Sequence, residues 1–124
     1  MKIAISTEGK SIESIMNPRF GRCSYFLICD TESGTTKALE NSGQQSEKGA
    51  GIAAAQQVMD EGVDVLITGS LGPNAFELIE NSDIRVYKGE ELSCGTLLEK
   101  LKNGELEKIT EAGLPHMGMK QGGN

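Results

Sequence analysis

Apolar residues along the 124-residue chain fall into short blocks separated by polar, glycine-bearing stretches. One block, Val63, Val65, Leu66 and Ile67, is compact and largely β-branched, as in an inner strand of a parallel sheet. It runs into Thr68-Gly69-Ser70-Leu71-Gly72-Pro73. The glycines allow a close turn, and proline suits the first position of a helix, where its missing N–H costs nothing. The stretch therefore predicts strand, turn and helix over residues 63–81. A turn of this kind points backbone N–H groups and a positive helix end at the carboxyl edge of a sheet, where α/β folds bind ligands. The same pattern also serves as a plain strand-to-helix connection.

The other blocks extend the pattern. Residues 2–6 predict a strand with Ile3 and Ile5 on one face and Ala4 on the other. Residues 7–18 predict a loop holding a short helical turn through Ile12, Ile15 and Met16 and ending at Asn17-Pro18. Residues 25–30 and 35–41 predict two strands. Glu32-Ser33-Gly34 between them is too short for a parallel crossover, so they form a hairpin. Gly49-Ala50-Gly51 opens a helix running to Glu61, with Ile52, Ala55 and Met59 at helical spacing and Gly62 as its stop. A short strand is expected over 84–87. Ser93 caps a helix over 94–103, with Leu97, Leu98 and Leu101 facing inward and Gly104 ending it. Periodicity fades from Glu105. The order β-β-β-α-β-α-β-α predicts an α/β domain: a mixed five-stranded sheet, antiparallel over its first three strands, with parallel crossovers after them and helices on its faces. One domain is expected over 1–108, and a flexible tail over 109–124.

Composition narrows the class. Hydrophobic residues make up 37% of the chain and tryptophan is absent, so the core is aliphatic. No apolar run approaches the roughly 20 residues of a membrane span, and Met1-Lys2-Ile3-Ala4-Ile5-Ser6 reads as a strand and not as a signal peptide. A cytoplasmic protein is expected. The net charge of −6 argues against nucleic acid as a partner. The first 30 residues nevertheless hold four basic and three acidic side chains, a balance of +1, against −7 in the rest. Cys23, Cys29 and Cys94 lack CxxC spacing, which disfavours a disulfide framework or a self-contained zinc site.

The sharpest candidate chemistry is Arg19-Phe20-Gly21-Arg22. Two guanidiniums flanking a glycine can grip an anion from two sides, with Phe20 anchoring the loop in the core. Solvated surface charge is the plain alternative. Cys23 follows a cation, which favours thiolate, a soft ligand for iron, copper or an iron–sulfur species. A small buried side chain is the alternative there. Cys29 shares the face of Leu27 and belongs to the core, whereas Cys94 begins a helix, a position that also favours thiolate. His116 lies with Met117 and Met119 in the tail, an imidazole and two thioethers suited to a soft metal but with no fixed geometry. No nucleophile–base pair, cluster of acids, P-loop, GxSxG or complete GxGxxG is present, so a non-enzymatic protein is expected.

Met1-Lys2-Ile3-Ala4-Ile5, Phe20-Gly21-Arg22-x-x-Tyr25-Phe26, Gly49-x-Gly51, Gly62-Val63-Asp64-Val65-Leu66-Ile67 leading to Gly72-Pro73-x-Ala75-Phe76, and Ile84-Arg85-Val86-Tyr87 occur in one order. Together they resemble the dinitrogenase iron–molybdenum cofactor biosynthesis family over residues 1 to about 108. The resemblance implies a ribonuclease H-like three-layer α/β/α fold. It also implies binding or carriage of an anionic metal–sulfur cluster without catalysis, with Gly21, Arg22, Gly69 and Gly72 as matching positions. The chain carries Arg19, and Ser46-Glu47-Lys48, where members of the family often place histidines. The expected site then joins Arg19 and Arg22 as cations, Cys23 as a ligand, and the backbone N–H groups around Gly49, Gly51, Gly69, Ser70 and Gly72. An iron–molybdenum–sulfur cluster or its precursor is the expected cargo. An interaction module that holds no metal and docks on an iron–sulfur assembly ATPase is the alternative, prompted by the polar Ser42-Gly43-Gln44-Gln45 loop and the acidic second half. A ribonuclease H-like nuclease is a third, disfavoured by the scattered acids.

Overall fold

The computed structural model describes residues 1–43 and 49–113. Among them, six strands form one open sheet in the order β3-β2-β1-β4-β5-β6. They are β1 (Lys2–Thr7), β2 (Tyr25–Asp30), β3 (Thr35–Glu40), β4 (Val65–Thr68), β5 (Arg85–Lys88) and β6 (Glu107–Lys108). The antiparallel β1-β2-β3 meander and the parallel β1-β4-β5 half match the expected order. Helices α1 (Ala50–Asp60), α2 (Pro73–Glu80) and α3 (Cys94–Lys102) lie within two residues of their predicted bounds.

Strand alternation splits the interior into two cores. Ala4, Phe26, Ile28, Leu66 and Val86 face one side, where α1 and α2 cover them with Ala54, Ala55, Val58, Ala75 and Ile79. Ile3, Ile5, Leu27, Cys29, Val65 and Ile67 face the other side, where α3 covers them with Cys94 and Leu97. Helices thus flank both faces. α3 begins as its sequence predicts, with Ser93 Oγ accepting the Thr96 N–H at 3.2 Å.

Two expectations fail. The sheet has six strands, not five: Tyr87 pairs with Lys108 and Lys88 with Glu107. Both β6 residues are exposed, so no apolar alternation announces the strand. Of the expected tail at 109–124, residues 109–113 are described, the Ile109 N–H donating to Val86 O at 2.9 Å and the Gly113 N–H to Leu71 O at 2.7 Å; the rest lies outside the described residues. The expected helical turn through Ile12, Ile15 and Met16 is cut short: one turn forms at Ile12, the Ser14 N–H donating to Ser11 O at 2.9 Å, and the chain leaves it before Ile15. Met16 is buried and bridges Thr7, and its N–H donates to Leu92 O at 2.9 Å, while Ile15 bridges Ser93. Ile15 and Met16 are held extended between the end of β1 and the start of α3, and Ile12 and Ile15 stay about half exposed.

Candidate functional site

The arginine loop is built from the carboxyl end of β1 outward. The Asn17 N–H donates to Ser6 O at 2.8 Å, and Ser6 Oγ donates to Asn17 O at 2.6 Å. Asn17 Oδ1 accepts the Arg19 N–H at 2.8 Å, turning the chain into a 3-10 turn at Phe20–Arg22. Phe20 is buried against Phe26, ring centroids 5.3 Å apart, and anchors the loop as predicted. The Glu8 carboxylate clasps both ends of the loop. It accepts from Asn17 Nδ2 at one end, and from Ser24 Oγ (2.8 Å) and the Ser24 N–H (3.3 Å) at the other. The Asn17 hydrogen bond, helped by those from Ser24, holds the Glu8 pKa below its ordinary value against the opposing effect of burial.

The loop touches both glycine segments. Pro18 lies so close to Gly69 that a Cβ there would stand 2.4 Å from Pro18 Cβ and 2.6 Å from Pro18 O. Arg19 forms a parallel bridge with Ser70. On the other flank, a Cβ on Gly21 would meet the Gly51 N at 3.0 Å and the carbonyl carbon of Ala50 at 3.2 Å. Close approach therefore requires glycine at 21 and at 69. Gly51 packs toward Ala75, and Gly49 precedes α1 with φ 73°. Gly72 caps α2 with φ −67° and open space around it, so its backbone makes no demand for glycine. The first-turn N–H groups of α1 and α2 have no carbonyl four residues back within their helices. The cationic loop and both turns thus share the carboxyl edge of the sheet.

A cleft of about 450 Å³ opens at this edge between Pro18, Arg19, Gly69 and Ser70 on one side and Lys88, Gly89, Glu90 and Glu91 on the other. Lys88 was not foreseen from the sequence. The signal was present in the register: Thr68 pairs with Lys88, and the Gly89 N–H donates to Thr68 O at 2.9 Å, so whatever follows β5 stands beside Gly69. Asn41 was missed as well. It is buried at the end of β3, where its Nδ2 donates to Cys23 O at 2.9 Å and to Gly21 O at 3.2 Å.

Cys23 departs from expectation. It is fully buried in the α1/α2 core, its thiol donating to Phe20 O at 3.4 Å. Burial drives its pKa up to about 12, overriding any effect of the neighbouring arginine, so the thiol is neutral and turned away from the rim. The Cys94 thiol is likewise buried, its pKa pushed to about 12 by desolvation and, secondarily, by Cys29. Cys29 is a core residue as predicted, raised to about 11 by burial. All three are free thiols. His116 lies outside the described residues. Among the described residues no three His, Cys, Asp or Glu side chains converge to hold a metal ion. No helix among them is long and apolar enough to cross a membrane.

A mixed sheet flanked by helices, with an arginine-bearing loop against two glycine segments at its carboxyl edge, defines a mixed α/β domain with one open sheet. The chain belongs to the dinitrogenase iron-molybdenum cofactor family, whose model matches residues 1–104. It is 31% identical over 112 residues to an uncharacterised protein of Methanocaldococcus jannaschii, covering 88% of this chain and 92% of that one. Its structure is similar to the apo form of the orange protein from Desulfovibrio gigas, with TM-score 0.86, 30% identity, and 90% and 95% of the two chains covered. It is also similar to the NMR structure of a Thermotoga protein, provisionally called a NifB protein, with TM-score 0.79, 33% identity, and 90% and 96% covered.

Proposed function

We propose that the protein is a non-enzymatic binding or carrier domain for an anionic metal–sulfur cluster of the iron–molybdenum type, or for its precursor. The observation that carries this is the contact of the arginine loop with both glycine segments, Pro18 against Gly69 and Gly21 against Gly51. Cations and backbone donors thereby meet at one rim. Membership of the family supports it, as does the similarity to a protein solved in an apo form. With Cys23 buried and no converging ligand set among the described residues, the cargo is held as an intact anion. Its metals keep their own sulfides. Guanidiniums and N–H groups donate to those sulfides, and each charged hydrogen bond contributes about 1.5–3 kcal/mol. Recognition of this kind needs no catalytic residue. The strand order β3-β2-β1-β4-β5, with β2 antiparallel to both neighbours, is in our reading the ribonuclease H-like arrangement, used here for binding and not for cleavage.

The test is anaerobic titration with tetrathiomolybdate and with an iron–molybdenum–sulfur cluster, followed by visible absorption. Saturable spectral change is expected, with Kd weakened roughly 10- to 100-fold in Arg19→Ala or Arg22→Ala. No spectral change in the parent protein, or parental affinity in both variants, would overturn the proposal. A second reading, a module that docks on an iron–sulfur assembly ATPase and holds no metal, is favoured by the half-exposed Ile12 and Ile15 beside the start of α3. Capture of such an ATPase by metal-free protein, lost in Ile12→Asp, would select it.

A further inference from the structure

We propose that Asn41 is a positioning residue that locks the arginine loop onto the start of α1, and so sets the geometry of the anion site. The inference rests on the cargo proposed above. Asn41 directly follows the edge strand β3, 18 to 20 residues from the arginine-loop carbonyls it holds, and only 6% of it is exposed. Its Nδ2 donates to Cys23 O at 2.9 Å and to Gly21 O at 3.2 Å, and lies 3.6 Å from Cys23 Sγ. Its Oδ1 accepts the Gly43 N–H at 2.9 Å. Its own N–H donates to Ser24 O at 3.0 Å.

One amide therefore holds two carbonyls of the arginine loop and the Gly43 N–H in the connection to α1. Both sides of that junction are already at contact limits. Gly21 lies against Ala50 and Gly51, and a Cβ on Gly43 would fall 2.4 Å from Ala50 O. The loop can approach α1 only while all three backbones keep this spacing, and Asn41 is the side chain that bonds to two of them. Only an amide satisfies the set: it offers two N–H donors toward the carbonyls and one oxygen toward an N–H. A carboxylate of the same shape keeps the Gly43 bond but presents an acceptor to Gly21 O and Cys23 O, which repels the loop. A residue that served stability alone would lower the melting temperature and leave the energetic role of Arg22 unchanged. A positioning residue couples to it.

The experiment is a double-mutant cycle on Asn41→Asp and Arg22→Ala, reading tetrathiomolybdate Kd, together with amide hydrogen exchange of the ligand-free proteins. Asn41→Asp should weaken binding about tenfold, and Arg22→Ala should then cost less than about threefold in that background. Exchange should quicken over residues 19–23 and 49–53 and stay unchanged in α3. If the aspartate variant fails to fold, Asn41→Ser, which keeps a single donor, should show the same pattern at smaller amplitude. An Arg22 effect equal in both backgrounds, or exchange unaltered in those two segments, overturns the proposal. Failure of the parent protein to bind tetrathiomolybdate counts against the cargo alone, because the exchange result still decides whether Asn41 holds the loop.

Discussion

Cys23 follows Arg22, and adjacency to a cation ordinarily favours thiolate. Sequence adjacency and spatial environment separate here. Arg22 is exposed, while Cys23 points into the core under Phe20 with no accessible surface. Desolvation of a thiolate outweighs a cation across the boundary. The three thiols consequently have folded pKa values of about 12, 11 and 12, all above the ordinary 9.0. In the unfolded chain they release protons as pH rises through 9, while the folded chain retains them. The unfolded state then binds fewer protons, so stability falls with increasing pH above 9 and is unaffected below it. Each thiol contributes at most about 1.4 kcal/mol per pH unit to that slope. Urea denaturation between pH 8 and 10.5 should show the loss, and Cys23→Ala should make it shallower while leaving tetrathiomolybdate Kd unchanged within twofold. A large loss of affinity in Cys23→Ala with stability intact would restore the sulfur as a ligand. Charge and residue type at this loop were readable in the sequence. The direction of one side chain was not, because it depends on how Phe20 and Asn41 fix the turn from both sides.

Elements whose pattern is local were readable with little loss. β1, β2, β4 and α3 follow from alternation or helical spacing within a single segment, and their caps and glycine stops confirm the bounds. Elements set by distant partners were not. The Ile12, Ile15, Met16 spacing suits a helix, but pairing with Thr7 and Ser93 holds Ile15 and Met16 extended. β6 exists only because Tyr87 and Lys88 offer a free edge. The turn after β4 shows both behaviours at once. From the sequence Gly69 and Gly72 are equivalent, two glycines of one turn. In the fold only Gly69 is pressed by Pro18; Gly72 has ordinary dihedrals and open space. Gly69→Ala should therefore push the arginine loop off β4 and cost about 1–3 kcal/mol by chemical denaturation. Gly72→Ala, which only removes a tolerable cap residue, should cost under about 1 kcal/mol. Equal costs would mean that the loop is not held against β4 in solution.

Taken as a whole, the molecule carries net charge −6, which disfavours any anionic ligand approaching from a distance. Binding at the rim must come from local arrangement. The parallel register delivers it: Thr68 opposite Lys88 brings the basic end of β5 to the Gly69 turn, where Arg19 already stands. Glu90 and Glu91 line the same cleft and oppose an anion there. Lys88 is exposed, and so its contribution is that of a screened surface charge, about 0.2–1 kcal/mol. Lys88→Ala should weaken tetrathiomolybdate binding roughly two- to fivefold at low ionic strength. The difference should vanish near 1 M salt, where the screening length is about 3 Å. Lys102→Ala, an equal change of net charge at the far end of α3, should have no measurable effect at either salt concentration. Glu90→Gln should tighten binding by a factor similar to the one lost with Lys88. If the two lysine variants behave alike, the anion senses only the total charge, and the cleft beside β5 is not where it binds. If Lys88→Ala alone weakens binding, the cargo spans from the arginine loop to β5, across a site whose two halves lie nearly 70 residues apart in the chain and are brought together only by the strand register.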